Sequence, residues 1–143
     1  MLTPSSTAGH WSKGMAEGSK LRILVIDDSA LVRRYYREAL ERAGYEVDEA
    51  LNGLEALEKL LTTAADLLIV DVNMPQMDGL SFLKILRRLG LPAGAIPAVV
   101  ISTEAKPEDQ EAARRAGANF YLVKPVSAEG LVDYAALLSG ASA

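Results

Sequence analysis

The chain of 143 residues contains no cysteine and a single histidine, His10. Without cysteine it can form neither a disulfide framework nor a thiolate metal cluster, and a Cys/His nucleophile pair is excluded. A reducing compartment suits such a composition, so we expect a cytoplasmic protein.

Long apolar runs and an excess of positive charge are also missing. The apolar runs fall far short of the roughly 18 residues that cross a bilayer, so we expect a soluble protein without membrane insertion. The formal net charge is −4, and the 15 lysines and arginines are dispersed, which disfavours nucleic-acid binding. Half of the residues are apolar, which is enough to bury the core of one domain.

The chain divides into three parts by composition and hydrophobic periodicity. Residues 1–19 mix small and polar residues without periodicity, and we expect a flexible N-terminal tail there. In residues 20–139, short apolar runs alternate with amphipathic segments, the pattern of a parallel sheet covered by helices. Residues 140–143 form the C-terminal end.

Five strand–helix units fit this pattern. The predicted strands are residues 21–26, 45–50, 67–70, 98–101 and 120–123. The second run interleaves polar with apolar residues, as is typical of an edge strand. The other four are almost continuously apolar, which predicts inner strands buried on both faces.

Capping residues agree with the helical periodicity. Asn52 and Glu55 predict a reciprocal capping box at the second helix, Pro107 suits the first turn of the fourth, and Ser127 suits the cap of the fifth. The third helix is marked by a stripe of apolar residues that ends at Leu89. Three glycines follow helical patterns and are predicted to adopt the left-handed conformation: Gly44, Gly90 and Gly117.

Polar side chains follow four of the predicted strands. They are Asp27 and Asp28, Asp71, Ser102, and Lys124. The carboxyl ends of parallel strands open on one edge of a sheet, where ligands bind. Three carboxylates converging there repel one another unless they share a cation, and oxygen ligands suit Mg²⁺. An acidic pocket with a hydroxyl and a lysine indicates phosphoryl chemistry, in which one carboxylate could be the nucleophile.

Four segments together carry a resemblance to a known family. They are Asp27-Asp28, the DVNMPQMDG segment at 71–79, ISTE at 101–104 and YLVKP at 121–125. In this order they resemble the receiver domain of two-component response regulators, most closely the single-domain chemotaxis type. The resemblance covers residues 21–139 and implies an α/β, flavodoxin-like, doubly wound sheet of five parallel strands in the order 2-1-3-4-5 with five helices.

The resemblance also implies roles for the polar side chains. Asp71 is expected to accept a phosphoryl group from a phosphohistidine on a histidine kinase or a phosphotransfer protein. Asp28, Asp71 and the backbone carbonyl of Asn73 would bind Mg²⁺ directly, and Asp27 would act largely through a water. Lys124 would stabilise oxygens that gain charge in the transition state.

A switch is implied as well. Ser102 would hydrogen-bond a phosphoryl oxygen and draw its loop inward, and Tyr121 would rotate between outward and inward positions. The output would be a protein-binding face formed by the fourth helix, fifth strand and fifth helix, where Lys106 and Arg114 are expected. The chain is thus expected to be a stand-alone signalling protein rather than an enzyme, and a monomer or weak dimer.

Several positions differ from common members of the family. Ser102 stands where many have threonine, Thr103 where the chemotaxis type has alanine, and Val126 where phenylalanine is frequent. Asn73 and Glu104 occupy positions that influence phosphoryl lifetime in relatives, and we expect a labile signal.

Two alternatives stay open on sequence grounds. An aspartate-based phosphatase of the haloacid-dehalogenase kind requires an Asp-x-Asp spacing after the first strand, and Ile26-Asp27-Asp28-Ser29 lacks it. A receiver-like scaffold that takes no phosphate has the same sequence pattern. Nucleotide binding is disfavoured because no GxGxxG follows a strand, and an EF-hand is disfavoured by Pro75 and Gln76.

Overall fold

The computed structural model describes residues 20–140, and the predicted N-terminal tail lies outside this part. Strands and helices alternate along it: β1 (Arg22–Ile26), α1 (Ala30–Arg42), β2 (Glu46–Ala50), α2 (Gly53–Leu60), β3 (Leu67–Asp71), α3 (Gly79–Leu86), β4 (Ala98–Ser102), α4 (Pro107–Ala116), β5 (Phe120–Val123) and α5 (Ala128–Ser139). The strands are parallel and lie in the order β2-β1-β3-β4-β5. This confirms the expected flavodoxin-like topology. Within residues 20–140, no helix is long and apolar enough to span a membrane.

Both faces of the sheet are covered, and the strand residues alternate between two cores. In β1, Leu24 and Ile26 pack in one core with α2, α3 and α4. Ile23 and Val25 pack on the other face with α1 and α5. Because successive strand side chains point to opposite faces, an inner strand covered by helices must be apolar at nearly every position.

The two edge strands have different compositions. β2 lies at one edge, as its alternating polar residues predict. The prediction that residues 120–123 form an inner strand is wrong, because β5 pairs only with β4 within the described chain. Its apolar residues are covered by neighbouring helices rather than by another strand. Phe120 contacts Tyr134 of α5 with ring centroids 5.0 Å apart, while Val123 remains exposed.

Helix caps largely follow the sequence pattern. The Asn52 side chain accepts a hydrogen bond from the Glu55 N–H at 2.9 Å, the Ser127 hydroxyl accepts one from the N–H of the third residue of α5, and Pro107 begins α4. The reciprocal half of the capping box differs from the prediction. The Glu55 carboxylate accepts from the Leu51 N–H at 2.6 Å instead of that of Asn52.

The segment after α3 also differs from the prediction. Gly44 and Gly117 adopt positive φ angles of 102° and 113°, as predicted, but Gly90 does not. The helix ends at Leu86, earlier than its apolar stripe indicates, so Gly90 lies in the following turn. Leu89, at the end of that stripe, is 42% exposed.

Arg87 organises this turn through backbone carbonyls. Its guanidinium donates to the carbonyl of Gly117 from Nε and Nη2, to Ile96 and Gly94 from Nη1, and to the Asn119 side chain. No carboxylate in residues 20–140 forms an ion pair with it, and burial lowers the pKa of Arg87. One side chain therefore joins the end of α3, the turn before β4 and the α4–β5 loop.

Replacing Arg87 with methionine is expected to lower the free energy of unfolding by about 2 kcal/mol. The variant keeps an apolar stem but leaves several part-buried carbonyls without their charged donor. Arg88→Met is the matched control, since Arg88 is exposed and adjacent. Urea denaturation of both variants measures the difference, and equal midpoints would contradict this role for Arg87.

Candidate functional site

Three carboxyl groups meet at the carboxyl edge of the sheet. β1 and β3 are neighbours in which Ile26 pairs with Val70, so Asp27 and Asp28, which follow β1, lie beside Asp71. Ligand oxygens of the three aspartates lie within 4.8 Å of one another. Asp27 and Asp71 are buried and Asp28 is exposed, so the pocket opens to solvent on the Asp28 side.

Lys124 approaches this pocket from the far side of β4. Its Nζ donates to Asp71 Oδ1 at 3.0 Å and lies 3.7 Å from Asp27 Oδ2. Its backbone N–H bonds the carbonyl of Ser102 at 2.8 Å, which fixes the start of the side chain on the end of β4. Burial alone would lower the pKa of Lys124, but the hydrogen bond to Asp71 and the charge of Asp27 together outweigh burial, and the net shift is upward. The ammonium therefore stays charged.

The pKa values of the two buried carboxyl groups, Asp27 and Asp71, are raised above their ordinary value. Burial raises the pKa of Asp27, and the charge of Asp71 adds to the increase, while the hydrogen bond from the Ser29 N–H opposes it. Burial also raises the pKa of Asp71, against the opposing effect of Lys124. The pocket is therefore short of positive charge, and its carboxylate oxygens form the donor set that Mg²⁺ prefers.

The loop after Asp71 is packed closely against its backbone. Gly79, the first residue of α3, donates to the Val72 carbonyl at 2.9 Å. A Cβ on Gly79 would lie 2.1 Å from the Asp71 carbonyl oxygen, so only glycine fits there. Asn73 is exposed within this loop, on the solvent side of the edge. The first turn of α3 thereby fixes the backbone that carries Asp71.

The two residues of the predicted switch, Ser102 and Tyr121, both hydrogen-bond the backbone of Glu104. Ser102 is the last residue of β4 and is buried, and its hydroxyl accepts from the Glu104 N–H at 3.1 Å. The Tyr121 hydroxyl donates to the Glu104 carbonyl at 2.7 Å. Both ends of the Glu104 backbone are therefore tied to these side chains, a bridge that the sequence does not reveal.

A groove lies beside Tyr121 between α4 and β5. Its volume is about 400 Å³, and its lining includes Glu111, Arg114 and Phe120. Lys106, which was predicted on the same face, is the exposed N-cap residue of α4 and does not line the groove.

Two contacts of Asp27 were not predicted from the sequence, one with the Arg33 side chain and one with the Ser29 N–H. Arg33 donates from Nη1 to the Asp27 carbonyl at 2.7 Å and from Nε to Glu49 at 2.7 Å. The sequence indicates only that Arg33 lies on the polar face of α1, as Arg34 does, and nothing in the pattern separates the two. The contact of the Ser29 N–H with Asp27 Oδ1 at 2.9 Å could have been found, because an aspartate side chain commonly accepts from the backbone N–H two residues further on.

Comparison with known proteins decides the family. A family model described as the response regulator receiver domain matches residues 23–136. The chain belongs to this family. Among curated relatives, this receiver is 38% identical over 121 residues to the transcriptional regulatory protein PrrA of Mycobacterium leprae, with 84% of the chain and 51% of PrrA covered. It is 42% identical over 116 residues to an Archaeoglobus fulgidus protein-glutamate methylesterase/protein-glutamine glutaminase, with 79% and 32% covered.

The solved structures that resemble this receiver include single receivers of similar length. Chemotaxis protein CheY4 of Vibrio cholerae is 35% identical, with a TM-score of 0.78 and coverage of 84% of this chain and 99% of that one. A putative response regulator of Chloroflexus aurantiacus is 31% identical, with a TM-score of 0.81 and coverage of 85% and 99%. By contrast, the chain spans about half or less of the length of the curated relatives reported above.

Asp27→Asn is expected to stabilise the receiver in the absence of Mg²⁺, increasingly as pH rises. A raised pKa means that the fold favours the protonated carboxyl, so wild-type stability is lost as pH rises from the ordinary value of 3.8 through the raised value. The asparagine mimics the neutral form at every pH. Urea unfolding with chelator from about pH 4 to about pH 7 measures the difference between the two proteins.

The control for this series is Asp78→Asn, because Asp78 is exposed and its side chain caps α3 through the Ser81 N–H, a bond that asparagine can keep. A gap between Asp27→Asn and wild type that stays constant or shrinks with rising pH would contradict the expectation.

Proposed function

We propose that this receiver accepts a phosphoryl group on Asp71 in a Mg²⁺-dependent reaction, from a phosphohistidine on a histidine kinase or phosphotransfer protein. The observation that carries the proposal is the pocket itself, in which Asp71 lies within 4.8 Å of two further carboxylates and 3.0 Å from the Lys124 ammonium. The protein would act as a cytoplasmic signalling module, monomeric or weakly dimeric, without nucleic-acid contacts.

In the proposed transfer, an Asp71 carboxylate oxygen attacks the phosphorus of the phosphohistidine. A P–O bond forms and the P–N bond breaks, its electron pair remaining on the imidazole nitrogen, so that an acyl phosphate results. Phosphoryl transfer is mostly positioning and charge neutralisation. Lys124, already bonded to Asp71, is placed to neutralise a phosphoryl oxygen, and its backbone tie to Ser102 keeps it there.

The remaining acidic residues fit a metal site beside this reaction. Asp28, Asp71 and the Asn73 carbonyl would hold Mg²⁺ directly, and Asp27 would contact it through water. When bound, the ion supplies the positive charge that the pocket lacks and neutralises phosphoryl oxygens. Asp27 also keeps Lys124 charged, because its own charge raises the lysine pKa.

The lifetime of the acyl phosphate is proposed to be short. Asn73 and Glu104 are both exposed, on the loops that follow β3 and β4, and we expect neither side chain to shield the phosphoryl group from water. A long-lived phosphoprotein would contradict this part of the proposal.

The signal is proposed to leave through the Glu104 segment. Ser102 now bonds the Glu104 N–H, and on phosphorylation its hydroxyl would turn to a phosphoryl oxygen and release that bond. The Glu104 carbonyl, which holds the Tyr121 hydroxyl, would then shift, so that the tyrosine side chain is freed to rotate. Tyr121 lines the groove between α4 and β5, and a downstream protein that binds the α4–β5–α5 face would sense the change.

Incubation with a small-molecule acyl phosphate is expected to add one phosphoryl group to the receiver, only when Mg²⁺ is present. Asp71→Asn should remain unlabelled, because it lacks the nucleophile. Asp78→Asn, in the loop that follows Asp71, should label like wild type. Intact-mass spectrometry counts the groups. No adduct on folded protein, with a known receiver labelled in parallel, would favour a phosphate-independent scaffold instead.

Ser102→Ala is expected to separate labelling from switching. Asp71 should still be phosphorylated, but the amide resonances of Glu104 and Tyr121 should no longer shift on phosphorylation, because the hydroxyl that leaves Glu104 is absent. Ser102→Thr keeps the hydroxyl and should retain the shift. Two-dimensional ¹H–¹⁵N spectra recorded before and after labelling measure this, and a wild-type shift in the alanine variant would refute the role of Ser102.

A further inference from the structure

The peptide groups on both sides of Asp27 are held by the edge strand β2. Its N–H donates to the carbonyl of Ala50 at 3.1 Å. Its carbonyl accepts from Arg33 Nη1 at 2.7 Å, and Arg33 in turn donates from Nε to Glu49 at 2.7 Å. Glu49 and Ala50 are consecutive residues at the end of β2, so a single point on this strand anchors Asp27 from two directions.

Glu49, which holds Arg33, is itself held by a second arginine. Glu49 also accepts from the Arg37 guanidinium, whose Nη2 donates to the Val47 carbonyl at 2.9 Å. The side chains of Arg33 and Glu49 are 11% and 25% exposed, so water screens this ion pair less than the exposed pair of Arg34 with Glu38. The two guanidiniums lower the pKa of Glu49 against the effect of burial, and the carboxylate therefore stays ionised.

The Asp27 carbonyl belongs to the peptide bond that leads into Asp28. Asp28 is the exposed member of the acidic pocket and has no ion pair within residues 20–140. Rotation of that peptide would move the Asp28 carboxylate relative to Asp71. Removing a group that orients a metal ligand without binding the metal itself commonly weakens metal affinity by about 10–100-fold.

We propose that Arg33 is a positioning residue for the acidic pocket: it fixes the Asp27–Asp28 peptide on Glu49 and so directs Asp28 toward the ion shared with Asp71. The inference rests on the proposed function, because it concerns the Mg²⁺ affinity of the same pocket. It assigns Arg33 no contact with the phosphoryl group.

Positioning and simple charge make opposite predictions for this arginine. If Arg33 acted only as a positive charge near the pocket, its removal would strengthen Mg²⁺ binding, because it would repel the ion. If it orients Asp28, its removal weakens binding despite the loss of that repulsion. Arg34 is the matched control, since it lies on the same helix with the same charge and its own glutamate partner, Glu38.

Isothermal titration of the full chain with Mg²⁺ alone tests the inference. Arg33→Gln should bind Mg²⁺ about tenfold more weakly than wild type, and Arg34→Gln should stay within about twofold. Arg33→Lys should recover part of the loss. In acyl-phosphate labelling, Arg33→Gln should need more Mg²⁺ for half-maximal rate but approach the wild-type rate at saturation. A general folding defect would lower the rate at saturation as well.

A second pair of variants keeps the test decisive if Arg33→Gln fails to fold. Arg33→Lys keeps the positive charge but lacks the guanidinium that bonds both the Asp27 carbonyl and Glu49, and should reduce Mg²⁺ affinity more than Arg34→Lys does. Affinity of Arg33→Gln equal to or tighter than that of Arg34→Gln overturns the inference alone. A wild-type chain that binds no Mg²⁺ overturns both the inference and the metal part of the proposed function.

Discussion

The receiver depends on a charge imbalance at one edge of its sheet. Ligand oxygens of three carboxyl groups lie within 4.8 Å of one another, one ammonium lies 3.0 Å from Asp71 and 3.7 Å from Asp27, and burial makes ionisation of Asp27 and Asp71 costly. A folded protein tolerates such a pocket only where the backbone leaves no freedom to spread the charges apart. The tight contact of Gly79 with the Asp71 carbonyl, the double anchor of Asp27 and the tie of Lys124 to β4 each remove some of that freedom.

A single residue, Glu104, links the pocket to the outer surface. Between the buried Ser102 hydroxyl and the half-buried Tyr121 ring stands one residue, Glu104, bonded through its N–H on one side and its carbonyl on the other. The Glu104 N–H and carbonyl flank a single Cα, so a shift of the backbone at Glu104 displaces the acceptor of the Tyr121 hydroxyl as well. β5 lies at the sheet edge with helices on its faces, and its position leaves Tyr121 next to a groove where a partner can reach it.

Most of the fold and the positions of the acidic residues could be predicted from the sequence. Apolar runs located the strands, and the rule that strand ends share an edge brought Asp27, Asp28 and Asp71 together. Two kinds of feature could not be predicted. Composition misplaced β5, because an edge strand covered by helices is as apolar as an inner one. Arg33 was missed, because only the three-dimensional path of α1 past β2 separates it from Arg34.

Lys124 and the three aspartates come from chain positions nearly a hundred residues apart, on three different strand ends. In an unfolded copy, Asp71 is an ordinary carboxylate in water with neither the ammonium nor its acidic neighbours beside it. The arrangement of charges around Asp71 is therefore a property of the complete sheet. Under the proposed function, unfolded copies would therefore not compete with folded ones for the phosphoryl groups of a kinase.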